Sequence, residues 1–518
     1  SMYADTIVAN PTTITGSIGV IGGWMYNKEL KEKLGMSTDH VQAGKHADLG
    51  FGFSLPFLGL SLPDRNLTDI ERAAVERSIH IIESGPAAGV VAAAAIGREV
   101  GRDNIISFDM GGTTAKAALI HGGRIELSTE YEVGGTRHGA QGGGGYGTGY
   151  PIRVPFMDVV EVGAGGGSIA WIDEAGALRV GPNSAGAEPG PVCYGFGGTE
   201  PTTTDANLLL GRLSADYFLG GEMKLDLVAV EREISARIAK PLGMTAEAAA
   251  AGIIEVSNAL MVRALRRVSI ERGRHPADYA MVAFGGAGPL VACYLAEELG
   301  IPEVIVPPLP GVASAVGLLG SEIRHEFRQA FFGGLATLDV AAANTLLARL
   351  GTEGRDGVRA SGVADADIAL KPIAELRYVG QAYELRIELP ALQLDRATLD
   401  EAARRFHAEH KRRFAYDMPD RGVEVVSLKV TATGRVGSPK PPALRVSSET
   451  LKSKGKRPVH FRGVGRIDCP VYDRADFAVG HTLSGPAVIE QKDSTTLLPI
   501  NWRLALDPHG HLLLDRRQ

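Results

Sequence analysis

Asp109-Met110-Gly111-Gly112-Thr113-Thr114-Ala115-Lys116 brings together an acid, two glycines, two hydroxyls and a cation in one short run. Glycines let a backbone close on an oxyanion, and successive N–H groups in such a turn form an anion-binding nest. Asp109 stands at the mouth of the apolar run Asn104–Phe108. There it can hold a hydrated Mg²⁺ or orient a water, while Thr113 and Thr114 add hydroxyl donors. Lys116 reads either as a phosphate contact or as an exposed strand residue. This is the chemistry of a phosphate site. A second glycine turn, Ala283-Phe284-Gly285-Gly286-Ala287-Gly288-Pro289, offers a backbone for a nucleoside to lie against. Its plain alternative is a strand-to-helix turn ahead of Pro289.

Other candidates weigh differently. Asp158 and Glu161 precede the turn Gly163–Gly167. Three apart on a strand they face opposite sides, so only one points easily into a shared site, for proton transfer or metal binding. Otherwise they serve a turn or a cap. Asp205, within Thr203-Thr204-Asp205-Ala206-Asn207, reads as a helix cap or buried hydrogen-bond acceptor. Cys193 lies in a Gly/Pro loop with no histidine near it in sequence, so a structural role is the better reading than a nucleophile. Arg263, Arg266, Arg267 and Arg272 crowd one helix, where they are solvated charge unless one of them stacks on adenine or meets a phosphate. The 13 histidines form no metal-binding spacing, which argues against a zinc site.

The elements that must position these residues alternate. Ser84-Gly85-Pro86 opens a helix, with Ser84 as N-cap and Pro86 in its first turn. Strands over Asn104–Phe108 and Ala115–His121 flank the first hairpin, and Tyr131–Val133 and Met157–Val162 follow. A helix over Ala246–Arg272 repeats Ile253, Val256, Leu260, Ala264, Leu265 and Val268 at helical spacing and stops at Gly273. Met281–Phe284, the helix Pro289–Leu299 and the strand Val304–Val306 complete an α/β lobe. Beyond residue 330 lie helices over Ala341–Leu350 and Thr398–Phe414, the second opened by a Thr398/Glu401 capping box. A hairpin of Ala374–Tyr378 and Tyr383–Leu389, the strand Val423–Ala432, a polar loop Leu444–Arg457 and a small β-rich end follow. Gly142–Gly149 reads as a flexible stretch.

Composition narrows the function classes. With 518 residues the chain has room for two to four domains. Against 54 Lys+Arg stand 60 Asp+Glu, a net charge of −6 with no basic block, which gives nucleic-acid binding no support. Cys193, Cys293 and Cys469 are odd in number and far apart, as in a reducing, cytoplasmic setting. The small-residue run Ala87–Ile96 is too short to span a bilayer and reads as a packed helix, so no membrane role is expected.

The same motifs carry a resemblance. Asp109–Lys116 resembles the second phosphate loop of the sugar-kinase/actin/chaperone ATPase superfold, a ribonuclease-H-like lobe, and Phe284–Pro289 resembles its adenosine turn. Ile82-Glu83-Ser84-Gly85-Pro86-Ala87-Ala88-Gly89, Gly163–Trp171 and Ser184–Gly195 occur with them in order. Together, over residues 81–518, they resemble the hydantoinase A/5-oxoprolinase family. The resemblance implies ATP and Mg²⁺ as cofactors, with Asp109 as the catalytic and metal-holding acid and Glu161 and Asp158 as catalytic candidates. Gly111, Gly112, Thr113, Thr114, Lys116, Gly285, Gly286 and Gly288 would hold the nucleotide. It further implies ATP-dependent hydrolysis of a cyclic amide, of hydantoin or 5-oxoproline type, by phosphorylation of the carbonyl oxygen. The chain would be the A-type member of a two-subunit enzyme, beside a hydantoinase B-type subunit; the ATP-binding component of a ketone carboxylase is the alternative. The family's histidine after Gly-Pro-Leu is replaced by Val291.

Residues 1–80 differ. Ala4–Pro11, Ile14–Val20 and Leu30–Asp48 resemble the signal-peptide peptidase/protease IV family, serine–lysine peptidases of crotonase-like fold. Ser1 lies outside that family's nucleophile motif, and Lys45 stands a place or two early for its general base. A helix opened by the Thr68/Glu71 capping box runs on into the Ile81–Gly85 segment of the other family. The expected organisation is therefore a peptidase-like fragment over 1–80, an ATPase lobe over 81–330 and an α+β, then β-rich, C-terminal region over 331–518. Without the family's first Asp-x-Gly-Gly-Thr lobe, the sequence reads as a chimeric or incomplete chain. Weak ATP binding, no turnover and no peptidase activity are the expectations; a serine–lysine peptidase or an inactive remnant are the remaining readings.

Overall fold

The computed structural model describes residues 52–55, 60–63, 84–128, 131–133, 150–152, 156–435, 444, 446–447 and 450–516. Ser1, Lys45, the Thr68/Glu71 capping box and the Gly142–Gly149 stretch lie outside them. Near the N-terminus, Gly52–Leu55 pairs antiparallel with Leu60–Pro63. Two compact units follow from the chain's contacts, the second spanning Leu319–Pro439 and the first holding the described residues on either side of it.

In the first unit the elements that matter are α1 (Ser84–Glu99), β1 (Ile105–Met110), β2 (Ala115–His121), β3 (Val159–Val162), α2 (Thr203–Leu209), α3 (Ala246–Val268), β4 (Ala280–Phe284), α4 (Gly288–Leu299) and β5 (Glu303–Val306). They build a nine-stranded sheet whose first five strands run in the order β3-β2-β1-β4-β5. The pairs β1–β4 and β4–β5 are parallel, and β2 is antiparallel to both β1 and β3. Both faces are covered, which is why β4 reads Ala-Met-Val-Ala-Phe, buried throughout, rather than alternating with polar residues. Ile105, Val282 and Ile305 join Val90 and Ala93 of α1 in one apolar layer. Ile106, Met281 and Val304 join Ile253 and Leu265 of α3 and Leu295 of α4 in the other.

Close approach decides two glycines of α1. A Cβ at Gly89 would stand 2.9 Å from the Phe284 ring, and one at Gly97 would stand 2.7 Å from the Arg102 carbonyl. The helix over Ala246–Arg272 is long and apolar enough to cross a membrane, and half of its apolar window is buried in this unit. It ends where expected, with a 3₁₀ turn Ile270–Arg272 closed by Gly273 in the left-handed region.

The stretch read as one C-terminal region, 331–518, is divided between the two units. Leu512–Arg516 pairs antiparallel with β5, and Trp502–Leu506 and Thr482–Ser484 extend the same nine-stranded sheet. Gly455–Phe461, Gly465–Asp473, Ala487–Gln491 and Ser494–Leu498 make a separate four-stranded sheet, so strand begins inside the segment expected to be a loop up to Arg457.

The second unit is a four-stranded antiparallel sheet in the order Ile323–Gly334, Val423–Gly434, Ile368–Tyr378, Leu385–Glu388. The helices Val340–Ala360 and Arg396–Phe414 share its core. The capping box lies three residues earlier than the sequence suggested. Asp395 is the N-cap and exchanges hydrogen bonds with Thr398 at N3, while Glu401 pairs with Arg404 and Arg405. An acid accepts a backbone N–H more strongly than a hydroxyl does, so Asp395 takes the cap.

Candidate functional site

The first hairpin forms as its residues require. β1 ends on Asp109-Met110, the Gly111 N–H donates to the Thr114 carbonyl at 3.1 Å, and β2 returns from Ala115. This register sets Asp109 opposite Lys116, and Lys116 opposite Glu161 on β3. Directly opposed residues share a sheet face, so the three form one row with the cation between two acids. The Lys116 ammonium is 3.9 Å from the Glu161 carboxylate. Burial pushes the Asp109 carboxyl above its ordinary 3.8, and the charge of Lys116 offsets part of that rise. Asp158 is not in the row. It falls in the break between Phe156–Met157 and β3, and its carboxylate pairs with Arg272.

A third glycine segment holds the hairpin from behind. The N–H groups of Gly166 and Gly167 donate to the carbonyls of Gly111 and Gly112, at 2.9 and 2.5 Å. A Cβ at Gly165 would stand 2.6 Å from the Thr113 carbonyl carbon and 2.7 Å from that of Gly112, so only glycine allows this contact. Thr204, at the start of α2, donates to the Gly166 carbonyl through both its N–H and its hydroxyl, at 2.7 and 2.8 Å. With its carbonyls engaged on one side, the hairpin presents the exposed Gly112 and Thr113, whose N–H groups have no partner among the described residues. A Cβ at Gly111 or Gly112 would meet nothing within 4 Å.

The second glycine turn packs on the same strand end. Gly285 has φ +80°, and a Cβ there would stand 2.3 Å from the Met110 carbonyl oxygen and 2.6 Å from Asp109 Oδ1. The Ala287 N–H donates to the Met110 carbonyl at 3.0 Å, and α4 starts at Gly288. Gly111, Gly112, Gly286 and Ala287 thus line one cleft of about 220 Å³.

The rest of the cleft was not read from sequence. One wall carries Tyr194, Tyr217, Phe218 and Leu219; the other is the turn Gln491–Thr495. Ser494 donates its hydroxyl to the Gly286 carbonyl at 3.2 Å, and Asp493 accepts the Gly311 N–H at 2.8 Å. These contacts span about two hundred positions of sequence, and no local motif announces them.

Asp205 closes a capping box with Thr202 and also accepts the N–H groups of Val192 and Cys193, at 3.1 and 2.8 Å. It is the structural acceptor that its position suggested. Burial, followed by the charge of Asp205, pushes the Cys193 thiol far above its ordinary range, so it is no thiolate. Val291 is buried, and Arg263 and Arg266 are exposed.

No three His, Cys, Asp or Glu side chains among the described residues come together as a metal cage. Mg²⁺ keeps most of its waters and rests on one or two carboxylates plus ligand phosphates. Asp109 fits that part, since a cation would offset the cost of its burial. The open N–H groups of Gly112 and Thr113 fit a phosphate.

Comparison with known proteins follows the same lines. Residues 66–327 match the family Hydantoinase/oxoprolinase, and 337–517 match the Hydantoinase/oxoprolinase C-terminal domain. Residues 1–83 match Peptidase family S49, overlapping the first match by its opening residues. The alpha chain of the Pseudomonas jessenii caprolactamase is 39% identical over 84% of this chain and 61% of its own length. The crystal structure of that organism's ATP-dependent caprolactamase superposes with a TM-score of 0.68 at 38% identity, over 84% of this chain and 62% of that one. A nucleotide-free acetone carboxylase superposes with a TM-score of 0.73 at 28% identity, over 83% of this chain and 61% of that one. The chain spans about three-fifths of the length of that caprolactamase chain and about a third of the length of the Arabidopsis thaliana 5-oxoprolinase, another curated relative it matches. From residue 66 onward, the chain belongs to the hydantoinase/oxoprolinase family.

Proposed function

We propose that the cleft holds ATP with Mg²⁺ and serves the ATP-dependent opening of a cyclic amide of the hydantoin, 5-oxoproline or lactam type. The carrying observation is that the Gly111–Gly112 hairpin and the Gly286–Ala287 turn line one cleft, both packed on the strand end that bears Asp109. The strand order supports the ribonuclease-H-like reading: three antiparallel strands, β3-β2-β1, continue into the parallel pair β4-β5. Higher identity to a caprolactamase than to an acetone carboxylase favours a lactam over a ketone.

When bound, ATP would supply the phosphoryl group that turns a carbonyl oxygen into a leaving group. The chain's own residues do the rest. The N–H groups of Gly112 and Thr113 offer fixed dipoles to a phosphoryl oxygen, in place and needing no reorganisation as charge develops. Asp109 provides the fixed negative charge for the cation. The charge of Lys116 favours the ionised form of that carboxylate against the cost of burial, and Glu161 stands 3.9 Å from Lys116 on the other side. A B-type subunit would resolve the activated product.

Calorimetry with Mg-ATP on the chain and on Asp109→Ala tests the reading. Asp-x-Gly-Gly-Thr occurs once in these residues, so weak binding is expected, and it should vanish in the variant. Equal heats from both proteins would sink the assignment. No phosphate release is expected from this chain alone; release stimulated by hydantoin, 5-oxoproline or caprolactam would favour the lactam reading, and release stimulated by acetone plus bicarbonate the ketone one.

A further inference from the structure

An ion pair joins the cleft's two walls at their lips. Glu222, at the end of the turn that carries Leu219, meets Lys492 of the Gln491–Thr495 turn at 2.5 Å, 270 positions away in sequence. Both side chains are more than half exposed. The backbone beneath Lys492 is shaped for it. Leu219, Gly220 and Gly221 have φ of 53°, 71° and 91°, and a Cβ at Gly220 would stand 3.3 Å from Lys492 Cγ. A left-handed leucine is strained, and glycine at the next position leaves room for the lysine stem. Among the charged residues that line the cleft, Lys492 is the cation; Asp493 has its carboxylate engaged by the Gly311 N–H and the Gln491 amide.

We propose that Glu222–Lys492 is a latch across the cleft that a polyphosphate opens by taking Lys492 for itself. The ligand class rests on the nucleotide reading above; the latch itself rests on the pair's position. An exposed pair of this kind holds its partners only a few-fold against separation, so it yields easily to a multiply charged anion. Its two ends then have opposite effects. Glu222 competes with the ligand, and Lys492 recruits it.

The experiment compares binding of Mg-ATP, and separately of inorganic tripolyphosphate, to the full chain, Glu222→Gln and Lys492→Gln at several salt concentrations. Glu222→Gln should tighten binding by about two- to five-fold, the range of an exposed pair. Lys492→Gln should weaken it and flatten its salt dependence. Loss of affinity in both variants would mark a merely structural pair and overturn the proposal, as would no change in either. Opposite shifts with tripolyphosphate but no binding of ATP would keep the latch and defeat the nucleotide reading. A chain that binds neither anion would overturn both.

Discussion

Gly112 within the first hairpin and Gly165 behind it should fail in different ways. Gly165 backs onto it: a methyl group there would lie 2.6 Å from the Thr113 carbonyl carbon and 2.7 Å from both the carbon and oxygen of the Gly112 carbonyl. All of these are backbone atoms, so no side chain can swing clear, and the hairpin must retreat by most of an ångström. Overpacking of this kind costs about 1–3 kcal/mol. The retreat also stretches the Gly166–Gly111 and Gly167–Gly112 hydrogen bonds, each contributing about 0.5–1.5 kcal/mol net. Gly165→Ala should therefore destabilise the first unit by about 2–6 kcal/mol, the upper end applying if both hydrogen bonds are lost. Gly112→Ala faces open space and should leave stability within about 0.5 kcal/mol, while placing a methyl group where the proposed phosphate would approach. Urea titration followed by tryptophan fluorescence reads the difference. The first unit holds Trp171 and Trp502, and residues 319–439 contain no tryptophan. The reasoning fails if Gly165→Ala unfolds at the wild-type midpoint, or if Gly112→Ala falls as far as it does.

Other outcomes follow from the charges. Burial raises the Asp109 carboxyl, so its ionised form is disfavoured in the fold, and fold stability drops as pH rises from 3.8 through the raised value. A Mg²⁺ complex needs the ionised form, so its affinity should fall on acidification at a pH above 3.8; Asp109→Asn should bind weakly and independently of pH. Lys116→Met removes the charge that offsets the rise, and should move the midpoint of that pH profile upward; an unmoved midpoint would separate Lys116 from Asp109. All three cysteines are buried, with thiols pushed up, Cys469 to about 11. Iodoacetamide at neutral pH should leave the native first unit unlabelled and label all three sites after denaturation, and rapid native labelling of Cys193 would reopen its case as a nucleophile.

Local chemistry explains what could be read in the sequence. The Gly-Gly-Thr-Thr hairpin, the Ser84–Pro86 helix start and the Gly273 stop are decided within a few residues, and the structure has each of them. The row Asp109–Lys116–Glu161 was half legible. Period two separated Asp158 from Glu161, but only the cross-strand register shows that Glu161 is the one facing Lys116. What was missed is non-local. Leu512–Arg516 carries the same apolar texture as a strand of any small β domain, and nothing in it names β5 as its partner. For the same reason Gln491–Thr495 could not be assigned to the cleft. The Thr398/Glu401 box was misplaced because two overlapping patterns compete, and the acid at 395 wins.

The pairing of β5 with Leu512–Arg516 has a consequence for how such a chain is made. β5 ends at Val306, and its neighbour is translated only after some two hundred further residues, with the whole 319–439 unit in between. Until then, Val304 to Val306 offer an unpaired row of N–H and carbonyl groups on an apolar strand, the kind of edge that recruits other chains. Closing it means bringing together distant segments, which is slow and pays its loop entropy before the contact rewards it. The 319–439 unit, whose strands pair among themselves, has everything it needs much earlier. The nascent protein thus spends its most vulnerable interval with the second unit ready and the nine-stranded sheet still open at one margin. Shortening the chain by its last two strands would make that interval permanent.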